Sequence, residues 1–121
     1  MMPSEFRDDL SEEFYITKGP ENSLVIYTKD EFERQSLRLD ELVNENKKNR
    51  AIKRLFFSST IKTSLDKQGR VLLNKNLRDY AHIESEAMII GNNLTIEIWD
   101  LDLWQEYINE VEVNLSDIMD D

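Results

Sequence analysis

Five consecutive residues, Asp66-Lys67-Gln68-Gly69-Arg70, gather the side chains of this chain best suited to meeting a nucleic acid. Gly69 can take a positive φ and let the backbone turn tightly, while Asp66 can accept backbone N–H groups two residues on. Such a turn presents Lys67, Gln68 and Arg70 at its tip. An arginine there can fork onto O6 and N7 of guanine, a glutamine can pair with adenine, and a lysine supplies a phosphate contact. The same residues also suit an ordinary hairpin turn with Asp66 and Arg70 paired across its neck.

The flanking segments must position that tip. Ser58–Leu65, with Thr60, Ile61 and Thr63, favours a strand, and Arg70-Val71-Leu72-Leu73 reads as the returning strand of the same hairpin. Ahead of it, Asn46–Phe57 spaces Ile52, Leu55 and Phe56 to bury one side of a short helix, leaving Lys47, Lys48, Arg50, Lys53 and Arg54 on the rest. Arg50, Lys53, Arg54 and Lys62 are the candidate phosphate contacts.

Around this hairpin the chain repeats itself. Phe6-Arg7-Asp8 recurs as Leu77-Arg78-Asp79, and Leu24-Val25-Ile26-Tyr27 followed by Phe32 recurs as Ile96-Glu97-Ile98-Trp99 followed by Trp104. Each copy reads as a short helix, a strand (Phe14–Thr17; Ala87–Ile90), a turn (Gly19-Pro20-Glu21-Asn22; Gly91-Asn92-Asn93), a second strand and a helix. Thr28-Lys29-Asp30-Glu31 is a capping box that opens a helix carrying Phe32, Leu39, Leu42 and Val43. Asp100 or Asp102 caps the last helix, with Leu103, Trp104, Tyr107, Ile108 and Val111 as a core or subunit-interface stripe. The 71-residue offset projects the partner of Asp66–Arg70 to positions before Met1, and Met1-Met2 stands where Leu72-Leu73 stands in the second copy. The expectation is therefore a late start, with an Asp-x-x-x-Arg or near variant in a longer chain, rather than loss of the element.

The 121 residues carry a net charge of −10, which by itself opposes binding to a polyanion. The charge is not spread evenly: residues 45–80 hold 10 basic against 3 acidic groups, while 81–121 hold none against 11. Zero cysteines exclude thiolate chemistry and fit a reducing compartment, and His82 alone leaves no partner for a nucleophilic or zinc site. His82 instead suits a helix end. The carboxylates at Asp8-Asp9, Glu12-Glu13, Asp100/Asp102 and Asp120-Asp121 invite a metal-dependent nuclease reading, but they fall on helix ends and the tail, where caps and solvated faces are expected. Gly19, Gly69 and Gly91 lie too far apart for a phosphate-cradling loop, and no apolar run reaches the ~20 residues of a membrane helix.

The two copies, the Asp66-x-x-x-Arg70 loop followed by apolar residues and Leu77-Arg78, and the Ile96-Glu97-Ile98-Trp99 strand before the final helix together resemble the MraZ family of bacterial transcription regulators. These are relatives of AbrB-like swapped-hairpin DNA-binding proteins, and the resemblance covers nearly the whole chain. It implies an α+β fold of two pseudo-symmetric β-hairpin/helix repeats forming a small barrel-type domain. The expected organisation is a first repeat over 1–44 without its leading hairpin, a basic connecting helix over 45–57, a second repeat over 58–113 and an acidic tail over 114–121. The resemblance further implies a ring-shaped homo-oligomer that binds short direct repeats in double-stranded DNA upstream of the cell-division and cell-wall gene cluster. Asp66, Lys67, Gln68, Gly69 and Arg70 inherit the DNA-contacting role, and the family's second loop, in the first copy, has no counterpart in this sequence. No enzymatic activity, cofactor, metal, small-molecule substrate or membrane is expected, and the location expected is cytoplasmic and nucleoid-associated. The rival reading is an acidic oligomeric scaffold or protein-interaction module that does not bind DNA.

Overall fold

A computed structural model describes residues 2–119. The elements run α1 (Ser4–Arg7), β1 (Phe14–Lys18), β2 (Leu24–Tyr27), α2 (Lys29–Asp40), α3 (Lys47–Ser59), β3 (Ile61–Thr63), α4 (Lys75–Ala81), β4 (Ala87–Asn92), β5 (Thr95–Asp100), α5 (Leu101–Val113) and α6 (Leu115–Met119). Helix, strand, turn, strand, helix thus occurs twice, as the repeated sequence requires. The fold is α+β. The strands form one antiparallel sheet in the order β3-β1-β2-β5-β4. At its centre Leu24 pairs with Ile98, Val25 with Glu97 and Ile26 with Ile96. Exchanging the repeats exchanges the outer two pairs and returns the central one to itself, so the pseudo-twofold passes through this ladder.

Alternation along the strands divides the residues between two faces. On one, Phe14, Ile16, Leu24, Ile26, Ile96 and Ile98 are buried against Met2, Leu10, Leu77 and Ala81, which brings α1 and α4 onto that side. On the other, Tyr15 stacks on Phe32 of α2 at 4.1 Å between ring centroids, and Phe32 stacks on Phe56 of α3 at 5.6 Å. Tyr27 meets Phe56 edge-on at 5.9 Å. Trp99 closes the far end of this second face against Trp104 and Tyr107 of α5. The halves are also pinned across the repeat boundary, where the Tyr80 hydroxyl donates to the Gly19 carbonyl at 2.5 Å and Asn22 donates to the Tyr80 carbonyl.

The caps fall where the sequence places them. The Glu31 N–H donates to Thr28 Oγ1, and the Leu103 N–H donates to Asp100 Oδ2, so Asp100 rather than Asp102 opens α5. His82 closes α4 in the left-handed conformation, φ 58°, and Asn93 takes φ 58° in the β4–β5 turn.

Three expectations need correction. Helix α2 stops at Asp40, so Leu42 and Val43 lie beyond it and Val43 is exposed; the chain must turn there to start α3, which Asn46 caps. Of the three apolar residues expected to bury one side of α3, only Phe56 is buried, while Ile52 and Leu55 stay 41% and 49% exposed. Phe56 and Ser59 hold the C-terminal end of α3 to Thr17 and the aromatic stack, and the preceding turn borders a groove of about 420 Å³ with Val25, Tyr27 and Leu39. Finally, Arg70–Leu73 is not a strand. It alternates as one would, with Val71 and Leu73 half-buried and Leu72 79% exposed, but a strand needs a ladder. Among the described residues, the backbone bond across to this stretch is a single one, Asp66 N–H to the Arg70 carbonyl at 2.9 Å, while the Met2 N–H reaches only the preceding Gly69 carbonyl at 2.8 Å. The incoming strand is correspondingly shorter than Ser58–Leu65, since α3 runs through Ser59 and leaves only Ile61–Thr63 to pair with β1. Asp120-Asp121 and Met1 lie outside the described residues.

Candidate nucleic-acid interface

The turn after β3 is held from within and from below. Inside it, the Asp66 N–H donates to the Arg70 carbonyl at 2.9 Å and the Gly69 N–H to the Asp66 carbonyl at 3.0 Å. Asp66 Oδ1 accepts the N–H groups of Gln68 and Arg70, each at 2.9 Å, while Oδ2 accepts Arg70 Nε at 3.0 Å. Below it, Leu65, Val71 and Leu73 pack on the core, and the Asn74 side chain caps α4 by accepting the Leu77 N–H at 2.9 Å. The tip therefore stands on a hydrophobic footing at both ends.

Gly69 is required by its backbone and covered by a side chain. Its φ is +76°, in the left-handed region where a side chain is strained, and a Cβ would lie 2.7 Å from Arg7 Nε. That arginine covers the glycine while donating to the Met2 carbonyl at 2.8 Å, so the first repeat clamps the turn of the second. The φ requirement is legible in the sequence; this clamp is not. Its available signal was the recurrence of Arg7 as Arg78.

Arg70 is held by its side edge. Besides Nε on Asp66, its Nη2 donates to Gln68 Oε1 at 2.6 Å, and half of the Arg70 side chain remains exposed. Lys67 and Gln68 are exposed beside it. The turn thus presents one ammonium and one guanidinium on a backbone locked by a single carboxylate. The Asp66–Arg70 pair expected of an ordinary brace is present, and it aims Arg70 as well as bracing the turn.

The Asp66 carboxyl is held below its ordinary value, chiefly by the Arg70 N–H against partial desolvation, then by the Arg70 guanidinium and the Gln68 N–H. A depressed folded value means that the carboxylate's contribution to the turn is present above the ordinary aspartate value and is lost as pH falls through the depressed one. The Gln68 and Arg70 amide resonances are expected to stay in place above roughly pH 5 and to move together at lower pH. Asp66→Asn should displace them already at neutral pH and remove their acid titration. Independent titrations of the two amides in the parent would contradict the shared-carboxylate geometry.

The four candidate phosphate contacts lie elsewhere. Helix α3 packs against Thr17 and Tyr27, and Lys62 pairs in register with Tyr15, so both belong to the sheet face opposite the one that seats the Asp66–Arg70 turn. Arg50 Nη1 donates to the carbonyls of Asn44 and Glu45 at 2.8 and 3.0 Å, and Lys53 Nζ to the Leu42 carbonyl and Asn44 Oδ1 at 2.8 and 2.7 Å. Both close the α2–α3 link. Lys62 lies 3.6 Å from Glu13, and Arg54 is exposed. The acidic residues do not assemble either: among the described residues no three His, Cys, Asp or Glu side chains are grouped to hold a metal ion, and no helix is long and apolar enough to cross a membrane.

Comparison with known proteins agrees with the repeat. The family profile described as "MraZ protein, putative antitoxin-like" matches twice, over residues 1–55 and 56–121. A protein of Finegoldia magna named transcriptional regulator MraZ is 42% identical over 120 residues, spanning 99% of this chain and 84% of its own length. One of a Thermoanaerobacter species with the same name is 36% identical over 118 residues, spanning 98% of this chain and 82% of its own length. Both repeats match, each relative aligns along almost the entire chain, and the duplicated hairpins share one sheet: the chain belongs to the MraZ family.

Proposed function

We propose that the protein is a sequence-specific DNA-binding transcription regulator without enzymatic activity, and that Asp66, Lys67, Gln68, Gly69 and Arg70 are its reading head. The observation that carries this reading is the exposed turn in which one carboxylate fixes Arg70 by Nε, leaving its terminal amino edge directed away from the pair. The match to proteins named transcriptional regulators supports it. Arg70 meets guanine in the major groove and Lys67 meets phosphate, while Arg50 and Lys53 serve as struts of the α2–α3 link. The target is a set of short direct repeats upstream of the cell-division and cell-wall gene cluster.

The regulator works as a ring of identical subunits in the cytoplasm, associated with the nucleoid. Support comes from apolar surface that a lone chain leaves uncovered. On helix α5 Tyr107 and Val113 are exposed and Leu103, Trp104, Ile108 and Val111 are only half-buried, and Ile52 and Leu55 face the groove beside α3. A ring places several reading heads on successive repeats, and linked binding events gain affinity through effective concentration.

Salt titration tests the assignment. Binding to a duplex bearing the repeats is expected to fall steeply with salt. Lys67→Ala should weaken specific and scrambled duplexes alike and lower the slope of log K against log salt by about one for each phosphate no longer neutralised. Native mass measured on the same samples is expected to show a closed homo-oligomer. Salt-independent binding, or a strict monomer at micromolar concentration, would contradict the reading.

A further inference from the structure

The Gln68 side chain is the member of the turn whose geometry departs most from what its residue type suggests. A glutamine at a reading tip is suited to adenine, for which it needs both its amide oxygen and its amide nitrogen. Here the oxygen is already committed: Gln68 Oε1 accepts Arg70 Nη2 at 2.6 Å. A guanidinium only donates, so the amide must turn its oxygen inward.

The two bonds to Arg70 fall on the same edge. Nε–H and the nearer Nη2–H of a guanidinium point the same way, and they meet Asp66 Oδ2 at 3.0 Å and Gln68 Oε1 at 2.6 Å. The side edge is thereby filled. Of the five N–H donors, the outer Nη2–H and the two on Nη1 remain, and the parallel pair across the terminal edge is the fork that spans O6 and N7 of guanine. With Asp66 alone, the guanidinium can still swing about its single Nε bond. A second acceptor fixes the plane.

We propose that Gln68 is a positioning residue for Arg70, the second jaw of a clamp that sets the plane of the guanidinium and so determines guanine specificity, and that it does not read adenine itself. This inference rests on the proposal that Arg70 reads DNA, and its test separates the two.

The experiment is a double-mutant cycle of Gln68→Ala and Arg70→Ala, with Gln68→Glu as the conservative variant, on duplexes in which each base of the repeat is replaced in turn. At the position where Arg70→Ala abolishes the guanine preference, Gln68→Ala is expected to reduce that preference about threefold to tenfold, as for side chains that touch directly, and the double variant to behave as Arg70→Ala alone. Gln68→Glu keeps an acceptor at the same reach, so it should retain the guanine preference although its charge weakens binding to every duplex. The four variants should melt as the parent does, since the side chains are exposed. An unchanged guanine preference in Gln68→Ala, or an adenine preference that disappears with Gln68 even when Arg70 is absent, would overturn the clamp while leaving the reading head intact. A guanine preference that survives Arg70→Ala would instead overturn the reading head itself.

Discussion

Arg70→Ala is expected to fold and assemble as the parent does and to lose about 1–3 kcal/mol of guanine discrimination for each loop engaged on DNA. The folding half of that expectation follows from the geometry. The Arg70 side chain is half exposed, its ion pair with Asp66 is confined to the turn, and the backbone bonds between Asp66 and Arg70 do not involve the guanidinium. An exposed pair of this kind contributes little to stability, because solvent screens it. Binding suffers far more, because in the proposed ring several repeats engaged together multiply the loss. Light scattering and thermal melting check the first half, and competition between specific and scrambled duplexes checks the second. Near-parent discrimination in a well-assembled variant would make the turn a structural element only.

Leu77→Ala fails in the opposite way. Leu77 is fully buried at the start of α4, in the cluster that holds Phe14, Ile16 and Leu24, and the same helix end receives the Asn74 cap just beyond the turn. Removing its side chain forfeits burial and leaves a cavity, which costs about 2–5 kcal/mol in well-packed cores. Set against a total of roughly 5–15 kcal/mol for a domain, that is a large part of the whole. Urea unfolding is expected to show a much lower midpoint with an unchanged slope, and DNA binding to disappear on warming while sequence preference at low temperature persists. A loss of preference without a loss of stability would place Leu77 in the interface, where its burial gives it no access.

Much of this architecture was legible because the chain states it twice. A helix, two strands around a Gly/Asn turn and a second helix give the same signal near Phe6 and near Leu77, and the capping residues Thr28 and Asp100 mark the helix starts by chemistry that is local in sequence. What was not legible depends on partners that residue type does not mark. Basic residues on α3 look free in sequence, yet Arg50 and Lys53 are taken up by the backbone carbonyls of Leu42, Asn44 and Glu45, which carry no side-chain signal. Residues 70–73 have the alternation of a strand, but alternation reports burial and a strand also needs a neighbour. The pentapeptide itself was found by residue type, and its turn by Gly69. The two features that define its geometry, the Arg7 cover on Gly69 and the Gln68 bond to Arg70, arise from packing between repeats and from rotamers that residue identity leaves open.

If Arg70 reads guanine, replacing single guanines of the repeat by 7-deazaguanine exposes it most directly. That base pairs and stacks as guanine does but lacks the N7 acceptor that one arm of the fork requires. The parent protein is expected to lose affinity at one guanine per engaged repeat, on the order of tenfold, within the range for a single bidentate pair. Arg70→Ala should bind the modified and unmodified duplexes equally. If the parent tolerates every such replacement, or if Arg70→Ala shows the same losses as the parent, then Arg70 is not the residue that reads the base.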